Sequence, residues 1–175
     1  MEAKKFVEQL SNIIIEVDLL KKRGVSDQFI AERRKSYQAT PNGKNYITGH
    51  PIVDLIENFD CSNIEIGMIN FDEKVEENLD YIFFGKFEID DLAIDKATGC
   101  VVMLEAGLDH VLYECAKSDS DFLNAIYNVA VFLERTSVEE ELYENVELNI
   151  QMAEEFGDIA GGKLYYDFYK MMLGV

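Results

Sequence analysis

Apolar residues close to the N-terminus recur at helical spacing. Seven of them follow the i, i+3, i+4, i+7 pattern of one helix face: Phe6, Val7, Leu10, Ile13, Ile14, Val17 and Leu20. Three basic residues then precede Gly24, and a glycine commonly follows the last residue of a helix. The pattern predicts one helix over residues 3–23.

Caps and turn residues predict shorter elements between residues 26 and 58. Ser26 can cap a second helix that runs to about Tyr37. Residues 40–43, Thr-Pro-Asn-Gly, are a typical turn sequence. Pro51 suits the first position of a short helix that ends near Asn58.

The hydrophobic period changes from helical to alternating after residue 63. Ile64, Ile66 and Met68 alternate with other residues, which predicts a strand to about residue 71, and the charged residues 72–78 predict a loop. Further strands are predicted at 81–84, 87–94, 100–105 and 110–115, with an interruption at Gly85 and a bulge at Asp90–Asp91. The connections at 96–99 and 107–109 are short, which predicts an antiparallel meander.

Helical patterns return after the last strand. Ser118 and Asp121 have the spacing of a capping box before a long amphipathic helix. Ser137 can cap another helix that ends at Gly157, and residues 164–173 predict a closing helix. We therefore expect a single α+β domain over residues 1–175, in which helices flank a central, mostly antiparallel sheet. Its core spans about 1–136, and a helical extension spans about 137–175.

Charge is distributed unevenly along this sequence. The net charge is −18, but residues 1–44 carry nine Lys/Arg and six Asp/Glu, whereas residues 45–175 carry seven and 28. Such an acidic surface repels nucleic acid and anionic membranes, and it attracts basic proteins. The same acidity also keeps a protein soluble without any partner, so the charge alone leaves both interpretations open.

The cysteines and the absence of long apolar runs point to the cytoplasm. Three widely spaced cysteines do not form a disulfide framework, and we expect Cys100 and Cys115 to be buried in strands. The N-terminal residues lack the apolar segment of a secretory signal, and no run approaches the 18 apolar residues of a membrane span.

Candidate chemistry is sparse. Asp90, Asp91 and Asp95 are the best-placed carboxylates for a metal, but the spacing of an EF-hand loop is missing, and Asp95 is expected to stabilise a turn. Of the two histidines, His50 is expected in a loop and His110 in a turn at the start of a strand. The sequence has neither a G-x-S-x-G elbow nor a phosphate-binding loop. We therefore expect no metal, no cofactor and no catalytic residue.

The predicted helix after Ser137 is unusually acidic. Residues 139–158 contain seven Glu and one Asp without a Lys or Arg. Repulsion between neighbouring glutamates destabilises an isolated helix of this kind. A basic partner could compensate for that repulsion, although a solvated acidic face is the simpler interpretation.

Four short motifs follow one another between residues 83 and 126: Phe84-Gly85, Leu92-Ala93-Ile94-Asp95, Thr98-Gly99-Cys100-Val101 and Ala116-Lys117-Ser118 followed by Phe122-Leu123. In these motifs the segment resembles the SUKH superfamily, which includes yeast cell-wall assembly regulators. The N-terminal part departs from the family pattern, because Pro41-Asn42-Gly43 lacks the preceding Leu-Pro motif.

The resemblance implies a binding protein rather than an enzyme. Many bacterial members are immunity proteins that bind and neutralise a cognate toxin, and others are regulatory scaffolds. The expected partner is a basic toxin domain such as a nuclease. The alternative is that the protein is a regulatory scaffold for cell-envelope or signalling proteins, and the third is that it is an enzyme with an unrecognised site. The residues expected to bind the partner are Asp90, Asp91, Asp109, Tyr113, Glu140, Tyr143, Glu144 and Glu147.

Overall fold

The computed structural model describes residues 1–175, except for the side chain of Glu140, and its fold is α+β. A curled sheet of six antiparallel strands is flanked by helices, including helices at the C-terminus. The helices are α1 (Ala3–Ser11), α2 (Val17–Lys22), α3 (Asp27–Lys35), α4 (Pro51–Asn58), α5 (Asp119–Val138), α6 (Glu140–Tyr143), α7 (Val146–Ala160) and α8 (Tyr166–Leu173). A short 3-10 helix, Lys163–Tyr165, precedes α8.

The strands form two sheets. They are β1 (Thr40–Pro41), β2 (Phe59–Asp60), β3 (Glu65–Ile66), β4 (Ile69–Glu77), β5 (Tyr81–Phe87), β6 (Asp90–Asp95), β7 (Val101–Leu104) and β8 (Val111–Ala116). β1 and β2 pair only with each other, while β3 to β8 follow one another across the larger sheet. Each neighbouring pair is antiparallel, so the predicted meander is confirmed.

The larger sheet has two different faces. We call the face that packs on the helices the inner face; it carries Phe84, Phe87, Leu92, Ile94, Val101 and Met103, all in the main core. The opposite face, here the open face, carries Tyr81, Phe83, Lys86, Asp91, Ala93, Val102, Leu104, Val111 and Glu114 according to the strand register. A second, small cluster lies on the open face and consists only of strand residues.

Aromatic rings fill the main core between the sheet and the helices. Phe168 of α8 lies 5.7 Å from Phe87 and 6.4 Å from Phe122 between ring centroids, and Tyr169 lies 5.2 Å from Phe168. The Tyr169 hydroxyl donates a hydrogen bond to the Cys115 carbonyl of β8 (3.1 Å). The predicted closing helix is thus present, and it packs on the inner face.

The prediction of one N-terminal helix over 3–23 is wrong, because the helix breaks between Ser11 and Val17. The side chains of Ser11 and Asn12 both donate to the Glu8 carbonyl (2.8 and 2.9 Å), competing with the helical hydrogen bonds there. Three consecutive isoleucines follow, and β-branched residues are poor helix formers. Gly24, with φ of +82°, does follow the end of α2 as predicted.

The predicted strand 64–71 and charged loop 72–78 are also wrong. The chain turns at Gly67–Met68, so that Ile66 pairs with Ile69 in a tight hairpin. The charged residues that follow continue β4 to Glu77. β3 pairs with only the first two residues of β4, so the rest of β4 has one unpaired edge. Charged side chains along such an edge resist pairing with other chains, which explains why β4 carries so few apolar residues.

The boundary between β5 and β6 differs from the prediction in three respects. β5 continues through Gly85, whose missing side chain lets the Asn70 carbonyl oxygen approach to 2.3 Å from where a Cβ would stand. The chain then turns at Glu88–Ile89, where Glu88 has φ of +54°, instead of forming one strand over 87–94. The register shift lies in β5 beside Phe84, so no bulge occurs at Asp90–Asp91.

Several short predictions are confirmed, and two are corrected. Ser26 and Ser118 cap α3 and α5, α4 spans Pro51–Asn58, and the Asp95 carboxylate accepts hydrogen bonds from the amides of the 96–99 turn. Thr40–Pro41, expected in a turn, pairs with Phe59–Asp60 as β1. Cys115 is buried in β8 as expected, whereas Cys100 is half-buried just before β7.

The prediction of one helix from Ser137 to Gly157 is wrong, because this range is divided among the end of α5, the short α6 and α7. Ser137 lies inside α5, where its hydroxyl donates to the Glu134 carbonyl (2.6 Å). Asn145 caps α7 by accepting from the Leu148 amide, and α7 continues past Gly157 to Ala160. The Tyr166 ring packs against Gly157, where a Cβ would stand 2.4 Å from Tyr166 Cδ1. This close contact explains why a glycine occurs inside the helix.

Candidate functional site

The structure gathers Asp90, Asp91 and Asp109 around one end of the sheet. We call this end, made of Gly67–Met68, Glu88–Asp90 and residues 105–110, the loop end. Its segments are joined by hydrogen bonds: Asp90 Oδ1 accepts from the Ala106 amide (3.0 Å), and the Glu88 amide donates to the Met68 carbonyl (3.0 Å). The three turns lie together because alternate turns of an antiparallel meander share one end of the sheet.

Asp90 and Asp91 point to opposite faces, as expected for neighbours in a strand. Asp90 pairs across the sheet with the inner-face residue Phe87, while Asp91 pairs with Lys86 on the open face. The Asp91 carboxylate and the Lys86 ammonium form an ion pair there. Asp91 is thus partly neutralised within the chain, whereas Asp109 is exposed.

Large apolar side chains are exposed beside these carboxylates. Ile89 is 75% exposed in the β5–β6 turn, and Leu108 is 56% exposed in the β7–β8 loop. Val111 and Leu112 at the start of β8 are also exposed. The loop end therefore combines apolar tips with a ring of acidic residues, a combination found at protein interfaces.

Tyr113 does not lie with the other candidate residues of the sheet. It pairs with Met103 on the inner face and its ring lies 6.5 Å from the Phe168 ring. The side chain is half-buried against the main core. Its ring thus packs against the core, whereas Ile89 and Leu108 provide the exposed apolar groups at this end of the sheet.

A second group of candidate residues lies at the junction of α6 and α7. Tyr143 is 71% exposed, and Glu144 and Glu147 are exposed beside it. The side chain of Glu140 lies outside the described residues. Tyr143 borders a groove of about 480 Å³ that Phe29 and Arg33 of α3 also line. The candidate residues therefore form two groups on separate elements.

No sequence pattern predicted the cluster of charged residues around Lys86 on the open face. The pKa of Asp72 is raised, chiefly because the carboxylate is partly buried and also because Asp91 and Glu76 lie near it, although the Lys86 ammonium opposes the shift. These residues and Phe83 border a cavity of about 480 Å³. Lys86 and Asp91 lie five residues apart on either side of a two-residue turn, but only the strand register shows that they share a face.

The burial of a charged network between α3 and α5 was missed as well. Glu134 is buried, and its Oε1 accepts from Arg33 Nε (2.5 Å) and from the Tyr37 hydroxyl (2.8 Å). Burial and the nearby Glu134 carboxylate raise the pKa of Tyr37 well above its usual value. Arg33 thus anchors α3 to α5.

The histidines lie apart, at the loop end and before α4. His110 is exposed, and His50 Nδ1 lies 3.7 Å from Asp119 Oδ2 at the start of α5. Burial raises the pKa of Asp119. Within the part of the chain that the structure describes, no group of three or more His, Cys, Asp and Glu side chains is arranged to hold a metal ion.

Comparison with known proteins adds no relative to this picture. The chain matches no family model, no curated protein and no solved structure. Among the described residues, no helix is both long enough and apolar enough to cross a membrane.

Proposed function

We propose that this protein binds and neutralises a cognate bacterial toxin by forming a stoichiometric complex in the cytoplasm, without catalysing a reaction. The SUKH-like segment 83–126 suggests this class of partner. The observation that carries the proposal is the uncompensated acidity of the sheet: residues 60–116 contain 14 Asp/Glu and three Lys, a net charge of −11. All three lysines already form ion pairs with carboxylates of this chain.

The negative charge of the sheet indicates that the partner is a basic protein. A field of this sign accelerates encounter with a basic protein, and its effect decreases as salt screens the charges. A nuclease has a basic substrate channel because it binds phosphates. An acidic surface that covers such a channel inhibits by occlusion.

Co-expression with a toxin domain tests the proposal, and the candidate domains are sought among the genes that neighbour this protein's own. We expect restored growth of the host cells and, after purification, a 1:1 complex measured by size-exclusion chromatography with light scattering. The association rate should fall at least about tenfold between 50 mM and 500 mM salt. Continued toxicity with both proteins soluble and no complex would refute the proposal, and capture of several weak partners would instead favour a scaffold.

A further inference from the structure

We infer that the loop end is the surface on which the partner docks, and that the partner presents an apolar patch ringed by lysine and arginine. This inference rests on the proposed function, since it assigns the place and chemistry of the same interaction. It also selects one of the two groups of acidic residues, because the α6–α7 junction is then peripheral.

Exposed apolar surface supplies the first argument. Ile89 and Leu108 lie at the tips of two neighbouring connections, with Val111 and Leu112 adjacent in the chain to the second. A folded chain gains free energy by covering such groups, and they provide the buried centre that a stable interface requires. The partner must therefore be apolar at its own centre.

Unbalanced charge supplies the second argument. The loop end carries Glu88, Asp90, Glu105 and Asp109 and contains no Lys or Arg. Among the described residues, none of these four carboxylates has a Lys or Arg nitrogen within 4.0 Å. At the opposite end of the sheet, by contrast, the Lys96 ammonium binds Glu77 (2.6 Å) and the Asn78 carbonyl (2.7 Å). The four carboxylates of the loop end thus remain free to bind an external cation, whereas Glu77 at the opposite end is already paired.

Preorganisation supplies the third argument. The hydrogen bonds from Ala106 to Asp90 and from Glu88 to Met68 join three separate connections, and the bond from Glu105 to His110 (2.9 Å) closes the β7–β8 loop. A surface that is already ordered loses less conformational entropy when a partner binds. At the α6–α7 junction the bonds are local, such as those from Asn149 to Tyr143 and from Leu148 to Asn145. Glu147 there also stabilises the first turn of α7 through the helix dipole.

An NMR titration tests the surface independently of the toxin. The probe is a synthetic nonapeptide of alternating lysine and leucine, and the control peptide carries serine in place of leucine. We expect amide shifts concentrated in residues 67–68, 88–91 and 104–112, with shifts from the serine peptide at least about threefold smaller at equal concentration. Shifts centred on residues 140–150, or spread evenly over the acidic surface, would overturn the inference.

Two charge-matched variants test the surface with the toxin domain as ligand. The loop-end variant carries E88Q, E105Q and D109N, and the helix variant carries E141Q, E144Q and E147Q, so each loses three negative charges. We expect the loop-end variant to bind at least about tenfold more weakly and the helix variant less than about threefold more weakly. Equal losses, or a larger loss for the helix variant, would overturn the inference.

The two experiments separate the inference from the proposed function. If the wild-type protein fails to bind the toxin domain, the proposed function fails and the peptide titration alone decides whether the loop end is a docking surface. A further pair, I89S and L108S, tests the apolar centre: with the thermal unfolding temperature unchanged, both variants should weaken binding of the lysine–leucine peptide. Unchanged peptide binding by both variants would reject the apolar centre.

Discussion

The inner and open faces of the same six-stranded sheet differ in what covers them. On the inner face, Phe84, Leu92 and Val101 are completely buried beneath helices, and aromatic rings join the strands to α5 and α8. On the open face, Ala93, Val102 and Leu104 form a small buried cluster against which Tyr81 and Phe83 of the same sheet pack. Charged residues such as Lys86 and Asp91 then border this small cluster.

The difference shows how one set of strands can carry residues for stability and residues for binding at separate places. Because successive residues of a strand point to opposite faces, one sequence can specify a closed core and an acidic outer surface together. Substitutions on the inner side should change the free energy of unfolding. Substitutions of exposed residues at the loop end should change partner binding and leave the fold intact.

The largest expected effect comes from Phe168 on the inner side. Phe168→Ala removes a fully buried ring that lies close to Phe87, Phe122 and Tyr169, and it should lower the free energy of unfolding by about 3–5 kcal/mol. The exposed control Leu108→Ala should change it by less than about 0.5 kcal/mol. Urea denaturation followed by circular dichroism measures the free energy of unfolding of both variants. Similar losses for the two variants would contradict the prediction that the inner face carries the stability.

Gly85 should give the next largest effect. The Cβ of an alanine at this position would stand 2.3 Å from the Asn70 carbonyl oxygen. The two residues cannot easily move apart, because their backbones belong to strands that pair within the sheet. Gly85→Ala should therefore lower the free energy of unfolding by about 3 kcal/mol.

Gly99→Ala is the matched control for this prediction. Its Cβ would meet open space, so only the positive φ of +76° disfavours alanine, at a cost of about 1 kcal/mol. Chemical denaturation of both variants tests the ranking. A smaller loss for Gly85→Ala than for Gly99→Ala would show that β4 and β5 can separate.

Ionisable groups extend the comparison to pH. The pKa of Tyr37 is raised above its ordinary value of 10.0, first by burial and then by Glu134. A raised pKa in the folded state stabilises the protein fully below pH 10, and the stabilisation is lost as pH rises through the folded value. The free energy of unfolding should therefore decrease above pH 10.

Tyr37→Phe should make this alkaline decrease less steep. The variant should also lose about 1–2 kcal/mol at pH 8, because Glu134 loses the hydroxyl that donates to it. Urea midpoints between pH 8 and pH 11 provide the measurement. Parallel curves for the two proteins would show that Tyr37 ionises equally easily in the folded and unfolded states.

The smallest expected effect comes from Asp72 on the open face. The pKa of Asp72 is raised in the folded protein, so the negative charge of this residue opposes folding at neutral pH. The stabilisation that accompanies the raised pKa is complete below pH 3.8 and is lost as the pH rises through the pKa of the folded state. Asp72→Asn should raise the free energy of unfolding at pH 7 by less than about 0.5 kcal/mol, since solvent screens a half-exposed group.

Thermal unfolding at pH 7 and pH 3 tests the sign of the Asp72 effect. The advantage of Asp72→Asn should disappear at pH 3, where aspartate itself is mostly neutral. Glu73→Gln removes the same charge from an exposed neighbour and serves as the control. A destabilised Asp72→Asn variant at pH 7 would mean that the Lys86 ammonium outweighs burial.

Local signals predicted the elements that local chemistry controls. The caps Ser26 and Ser118, Pro51 at the start of α4 and the Asp95 turn are each specified by residues within four positions. Ser137 and Gly157 gave equally clear local signals but were wrong, because packing continues α5 through Ser137 and the Tyr166 ring requires the small residue inside α7.

The candidate site was less accessible to sequence reasoning. Asp90, Asp91 and Asp109 could be selected because they flank turns, yet their faces depend on the strand register. The inward direction of Tyr113 follows from its pairing with Met103. The network of Arg33, Tyr37 and Glu134 joins residues about 100 positions apart, and no periodic pattern marks such a contact.

The position of Phe168 and Tyr169 in the main core has a consequence for biosynthesis. Both rings are completely buried between the sheet and the helices, yet they are made long after α1, α4 and all six strands of the large sheet. While the ribosome is still adding these residues, Phe87 and Phe122 lack the ring that covers them in the finished fold. Nascent chains should therefore remain sensitive to proteases and dependent on chaperones until α8 has left the exit tunnel.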